Sequence, residues 1–61
     1  MKIKISIAIM SHLSDAQELM TIGGIAQANE HINFAKMLVL KYVDTDQEVS
    51  TEELDELWQE K

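Results

Sequence analysis

The chain has 61 residues, no cysteine, 46% hydrophobic residues and a net charge of −6. A chain of this length forms one domain at most and buries only about 60% of the surface that its unfolded form exposes. The missing cysteines exclude disulfides and thiolate zinc sites, and the apolar content excludes a disordered protein. We therefore treat residues 1–61 as a single small domain, and we expect it to gain stability by oligomerisation.

The charge is divided unevenly along the chain. Residues 1–43 carry four lysines and three acids, whereas residues 44–61 carry eight acids and one lysine. This acidic balance disfavours a phosphate-binding face and therefore a nucleic-acid partner. No apolar run reaches the ~20 residues needed to cross a bilayer, and the short apolar run after Lys2 and Lys4 does not resemble a signal sequence. The expected location is the cytoplasm, with no membrane association.

Residues 2–10 support two interpretations. Isoleucine at every second position from Ile3 to Ile9 is typical of a β-strand. A helical stripe is also present, formed by Ile5, Ile9, Leu13, Ala16 and Met20. We favour a first helix over about 3–22, because no other segment has a strand pattern and a lone strand leaves its backbone groups unpaired.

A serine within this segment points to a different start for the helix. Ser14-Asp15-Ala16-Gln17 fits a capping box, which favours a helix that begins at Asp15 and a non-helical segment before it. The same serine is equally compatible with the exposed side of a longer helix. Both interpretations stay open from the sequence.

The second helix is predicted over about 25–43, after a turn at Gly23-Gly24. One side of it has the pattern of a buried face, formed by Ile25, Ala28, Ile32, Ala35, Leu38, Val39 and Tyr42. Additional apolar residues make the stripe wider than one facing helix can cover. We therefore predict an all-α antiparallel helical hairpin in an oligomeric bundle, most simply a homodimer, with an interface that includes Ile5, Ile9, Phe34, Met37 and Leu40.

The last part of the chain is predicted to be an acidic linker, residues 44–49, and an acidic C-terminal segment, residues 50–61, with a helix over about 51–60. Ser50 is the predicted N-cap, and Glu53 completes a capping box. An apolar patch of Leu54, Leu57 and Trp58 is expected to pack this helix on the hairpin. The opposite side presents an acidic surface, formed by Glu52, Glu53, Asp55 and Glu56.

The sequence predicts no catalytic residue, no cofactor and no metal site. His12 and His31 are the two histidines, and in an antiparallel hairpin they lie about one helical turn apart. They could approach a metal together with Asp15 or Glu30, but two histidines without i, i+4 spacing do not define a site. We expect His31 to be exposed or hydrogen-bonded, near Asp15. The acids from Asp44 onward lack the glycine and the final glutamate of a calcium loop.

These features predict a small non-enzymatic protein that acts through self-association and contact with an unidentified protein partner. Two alternatives are open. The order strand, short helix, glycine turn, longer helix is similar in outline to ribbon-helix-helix proteins. That resemblance implies that the N-terminal strands of two chains pair with each other. It also implies a DNA partner, contacted by Lys2, Lys4 and Ser6. The other alternative is an acidic inhibitor that mimics nucleic acid and docks on a basic protein.

Overall fold

The computed structural model describes residues 1–60. The elements in chain order are strand β1 (Lys2–Lys4), helix α1 (Ile5–Thr21), helix α2 (Ile25–Lys41), strand β2 (Glu48–Ser50) and helix α3 (Thr51–Glu60). Helices α1 and α2 form a hairpin, and α3 follows as a short C-terminal helix, so the predicted helical architecture is confirmed. Among the described residues, none of the helices combines the length and the apolar character needed to cross a bilayer.

The N-terminal segment is a strand over residues 2–4 and a helix from residue 5 onward. Residues 2–4 form β1, which pairs antiparallel with β2, so that Ile3 lies opposite Val49. The prediction that no other segment forms a strand is therefore wrong, because the last part of the predicted linker provides one. The first helix begins at Ile5 instead of about residue 3. Ser14 lies inside α1, so a helix that begins at Asp15 is also wrong.

The strand pairing occurs within one chain, which differs from the arrangement that the ribbon-helix-helix alternative implies. In that arrangement β1 would pair with its copy in a second chain, and Ser6 would belong to a strand. Here the partner of β1 is β2 of the same chain, and Ser6 lies in the first turn of α1. The outline resemblance therefore does not extend to the structure.

The first turn of α1 is held by the loop that precedes β2. A helix start leaves its first N–H groups without partners inside the helix. The Ile5 N–H donates to the Gln47 carbonyl and the Ser6 N–H donates to the Thr45 carbonyl, each at 2.9 Å. The Thr51 N–H, at the start of α3, donates to the Met1 carbonyl at 2.8 Å. One short junction therefore joins the starts of both α1 and α3.

The turn between α1 and α2 has the glycine geometry that the sequence predicts. Gly23 has φ +85°, a left-handed conformation that suits glycine because it has no Cβ. The Gly24 N–H donates to the Leu19 carbonyl at 2.7 Å, and the Gly23 N–H donates to the Met20 carbonyl at 3.3 Å. These two bonds form a Schellman motif, which ends α1 and reverses the chain direction.

The core lies between the hairpin and the junction with α3. Its fully buried members are Ile5 and Leu38, and it extends to Phe34, Ala8, Tyr42, Val49 and Leu54. Three more buried alanines, Ala16, Ala28 and Ala35, lie along the hairpin outside this cluster. Because alanine is small, these positions are consistent with a close approach of the two helices.

The start of α3 matches the predicted cap. The Glu53 N–H donates to Ser50 Oγ at 3.1 Å, as an N-cap requires. The Glu53 carboxylate accepts a 2.7 Å hydrogen bond from the hydroxyl of Tyr42, the residue directly after α2. This hydrogen bond, followed by burial, raises the pKa of Tyr42. The contact ties the end of α2 to α3.

The core assignment predicts different results for two isoleucines in the first turn of α1. Ile5 is fully buried, whereas Ile7 is 55% exposed. We expect Ile5→Ala to lower the free energy of unfolding by about 2–5 kcal/mol, because it leaves a cavity in the core. Urea denaturation at one protein concentration measures the change.

Ile7→Ala is the matched control, since it removes the same atoms at nearly the same place in the helix. Its expected cost is below about 1 kcal/mol. Equal losses for the two variants would show that the described core is incorrect.

Candidate functional site

The two histidines meet on the side of the hairpin that faces α3. Helix α1 provides His12 and helix α2 provides His31, and the turn at Gly23 brings their positions together across the hairpin. Their Nδ1 atoms are 2.9 Å apart, a hydrogen-bond distance at which one nitrogen carries the proton and the other accepts it. The sequence predicted a separation of about one turn along the axis. The side chains close that separation completely.

Helix α3 covers this histidine pair with its tryptophan. The Trp58 ring stacks on both imidazoles, with centroids 5.1 Å from His12 and 4.7 Å from His31. The Phe34 ring makes T-shaped contacts with His12 and Trp58, with ring-centroid distances of 4.7 and 5.1 Å. The predicted packing of Trp58 on the hairpin is therefore present, and its contacts include the histidine pair.

The surroundings of His12 favour its neutral form. Burial is the largest cause, and the neighbouring His31 is the second, of a pKa lowered from the ordinary value of 6.5. Asp15 opposes both by favouring the positive imidazolium. The geometry agrees with this balance, because a half-buried ring among aromatic neighbours loses part of its contact with water.

An open groove begins beside the histidine pair and runs toward the hairpin turn. It has a volume of about 290 Å³ and is lined by Asp15, Glu18, Leu19, Ile22 and His31. Asp15 is exposed, and a carboxylate oxygen of it lies within 4.8 Å of a ring nitrogen of each histidine. Two imidazoles and a carboxylate could therefore bind one cation at the head of the groove. The predicted proximity of His31 and Asp15 is present.

Within residues 1–60, no third helix lies over the opposite side of the hairpin. Helical spacing places two apolar stripes there, one from each helix, which together we call the uncovered face: Ile9, Leu13 and Met20 on α1, and Ile25, Ile32 and Val39 on α2. Leu13, Met20, Ile25 and Val39 are 42–63% exposed, and Ile9 and Ile32 are half-buried. The prediction that Ile25 and Val39 are buried is therefore wrong for the single chain.

Beside the uncovered face, Lys36, Val39 and Leu40 line an open depression of about 330 Å³. Leu40 is 84% exposed, and its place at an interface stays a prediction. Ile5 and Phe34, expected at the same interface, are buried in the chain's own core and offer no surface to a second chain. Ile9 and Met37 are half-buried and pack against that core.

The predicted acidic surface lies on α3 and is exposed. Glu52, Asp55 and Glu56 point to solvent, and Glu52 lies 4.0 Å from the amino group of Met1. Because both groups are well exposed, this ion pair contributes little to stability. Glu53 is also exposed, although its carboxylate is occupied by the Tyr42 hydroxyl. The acidic surface and the uncovered face therefore belong to different parts of the molecule.

The sequence did not indicate that Trp58 and Phe34 would enclose the histidines. Pairing residues outward from Gly23-Gly24 brings His12 and His31 near each other, and that signal was present. The position of Trp58 depends on where α3 crosses the hairpin. That crossing is fixed by the strand pair, which the sequence pattern did not predict.

No protein-family model, curated protein or solved structure matches the chain.

The lowered pKa of His12 predicts a specific dependence of stability on pH. Well above pH 6.5 the His12 imidazole is neutral in both the folded and the unfolded chain and contributes nothing to the pH dependence. As the pH falls below that value, the unfolded chain binds the proton more readily than the folded chain, so the free energy of unfolding decreases. The decrease stops below the folded-state pKa. Urea denaturation at several pH values, with a chelator present, measures it.

His12→Gln is the control, since it removes the titrating group and keeps a polar side chain. We expect a shallower decrease just below pH 6.5 in this variant. The decrease in the free energy of unfolding that carboxylates cause at lower pH should be the same in both proteins. An identical pH profile for both proteins would exclude His12 as its source.

Proposed function

We propose that this chain acts as a non-enzymatic interaction protein and that two copies associate through the uncovered face. In this dimer the two hairpins form a four-helix bundle, and each copy keeps its α3 on the outside. The observation that supports the proposal is the continuous apolar face on the side of the hairpin opposite α3. A contiguous apolar surface of this kind is typical of an interface.

The pattern of the uncovered face is suited to helix packing. On α2 the apolar positions Ile25, Ile32 and Val39 recur at every seventh residue, and the alanines between them, Ala28 and Ala35, are buried within the hairpin. This is the spacing that aligns side chains along the seam of a helix bundle. The stripe on α1 follows the same steps through Leu13 and Met20. The side chains of a second hairpin can therefore pack between these two rows of apolar side chains.

The size of the face is sufficient for a specific dimer. Helices α1 and α2 have 17 residues each, which corresponds to a length of about 25 Å. Two helices side by side, each about 10 Å in diameter, give the face a width of about 20 Å and an area of roughly 500 Å² per copy. Two copies would then cover roughly 1,000 Å² in total, which is about the lower bound for a specific protein interface.

The charge distribution supports self-association through this face and opposes self-association through α3. Lys36 is the charged residue that helical spacing places on the uncovered face, and its long stem lets the ammonium group reach water at the rim. Residues 44–61 have a net charge of −7. Copies that approached each other through α3 would therefore repel, so association is directed to the opposite face.

The same acidic surface is the basis of the alternative, an inhibitor that docks on a basic protein. Its support is the exposure of Glu52, Asp55 and Glu56 on one short helix. An acidic helix also keeps an apolar oligomer soluble without any partner. The uncovered face has no such explanation in a single chain, and for that reason self-association is the function we propose.

A lysine placed in the uncovered face should disperse the dimer. We expect Val39→Lys to weaken self-association by roughly a hundredfold or more, because each dimer carries the uncompensated charge twice. Leu40→Lys, at the edge of the same face, should act in the same direction with a smaller effect. Sedimentation equilibrium over a range of micromolar concentrations measures both.

Ile7→Lys is the matched control. Ile7 is β-branched like Val39 and similarly exposed, at 55% against 52%, but it lies on the outer side of α1. It should leave the dimer intact. A wild-type chain that stays monomeric at these concentrations, or equal association of the Val39 variant and the wild type, would refute the proposal.

A further inference from the structure

We propose that His12, His31 and Asp15 form a binding site for a divalent late first-row transition metal ion such as Ni²⁺ or Zn²⁺. The site is distinct from the uncovered face and does not depend on self-association. Each residue offers one ligand atom, and the three atoms lie within 4.8 Å of one another. Imidazole nitrogens combined with a carboxylate oxygen form a ligand set that suits these ions.

The distance between the two imidazoles fits a shared ion. Metal–nitrogen bonds of about 2.05 Å that meet at a right angle place the two nitrogens about 2.9 Å apart. The observed Nδ1–Nδ1 distance is 2.9 Å. The separation therefore equals that of two ligands on one octahedral or square-planar ion, and both rings must rotate to turn their lone pairs from each other toward the ion. A tetrahedral ion needs a separation of about 3.3 Å, which a small rotation of either ring supplies.

The third ligand and the open positions lie toward the groove. Asp15 is three residues after His12 on α1, a spacing that places both side chains on one face of the helix. The groove continues from Asp15 past Glu18 toward the turn. Water can therefore reach the coordination positions that the protein leaves open, and the Glu18 carboxylate lies along the same path.

Metal binding requires a change in protonation at the histidine pair. Both Nδ1 atoms must present lone pairs to the ion, whereas the present contact holds one proton between them. That proton moves to Nε2 of its own ring, or it leaves if the pair is protonated. The ion thus replaces a hydrogen bond with two metal–nitrogen bonds, and its binding weakens as the pH falls.

The rings are held in place before any ion binds. They project from two helices, and Trp58 stacks on both of them while Phe34 contacts His12. Fixing the ligands in advance reduces the loss of side-chain entropy on binding. Two histidines on flexible segments lack this advantage.

Isothermal titration of the full chain with Ni²⁺ tests the site. We expect saturable binding of one ion per chain at neutral pH. The chain has one tryptophan, Trp58, at 4.7 Å from the His31 ring. A paramagnetic ion at the site should therefore quench its fluorescence with the same saturation curve.

Two variants and one control decide the outcome. His31→Gln should abolish binding, and Asp15→Asn should weaken it by roughly tenfold or more. Asp15 is exposed, so its variant keeps the fold, which circular dichroism verifies. Asp55→Asn removes the same charge from α3 and should bind as the wild type does.

Three results would overturn the proposal. The first is no saturable binding of Ni²⁺ or Zn²⁺ at micromolar concentrations. The second is an equal effect of Asp15→Asn and Asp55→Asn, which would indicate a general attraction to an acidic protein. The third is one ion per two chains, which would indicate bridging between copies. Dispersal of the dimer by Val39→Lys should leave Ni²⁺ binding unchanged, so the two proposals succeed or fail separately.

Discussion

The rest of the structure depends on the junction in which the N-terminal strand pairs with the segment before α3. Three residues on each side form the pair, and Ile3 faces Val49. The adjoining loop accepts hydrogen bonds from the first N–H groups of α1. This single feature caps α1, closes one end of the core over Ile5 and fixes where α3 starts. The other contacts described between α3 and the hairpin are made by side chains, such as the Tyr42–Glu53 hydrogen bond and the stacking of Trp58 on the histidines.

The position of α3 divides the hairpin into two different faces. One face is covered, and it contains Phe34, Leu38 and the histidine pair beneath Trp58. The other face keeps its apolar stripes exposed, because the three helices of the described residues leave it uncovered. This arrangement follows from length: a helix of 10 residues covers only part of one side of a hairpin with 17-residue arms. The uncovered face is a consequence of the short length of α3.

The histidine pair is coupled to the fold through the same helix. Trp58 reaches the imidazoles only while α3 is docked, and docking depends on the strand pair and on the Tyr42–Glu53 hydrogen bond. Protonation opposes this packing, because burial and the facing imidazole disfavour charge on His12. A bound ion would act in the opposite direction, since it joins α1 and α2 beneath Trp58. Protonation or ion binding at the histidine pair should therefore change the free energy of unfolding of the whole chain.

The sequence by itself determined the local elements whose causes are local. The glycine pair predicted the end of α1, Ser50 predicted the start of α3, and the apolar spacing predicted α2 and the hairpin. It also determined that the chain carries more apolar surface than it can bury. It did not separate the strand from the helix within residues 2–10, because alternating isoleucines fit both periods. It also placed Ile5 and Phe34 at an interface when they belong to the core.

Only the tertiary structure decided those points, and the physical reason is the same in each. A three-residue strand is stable only with a partner, and its partner lies more than forty residues away. That pairing sets the crossing of α3, and the crossing decides which apolar residues are covered and which histidine contacts form. Periodicity shows that a residue lies on an apolar face. It cannot show which of two apolar faces a distant helix will occupy.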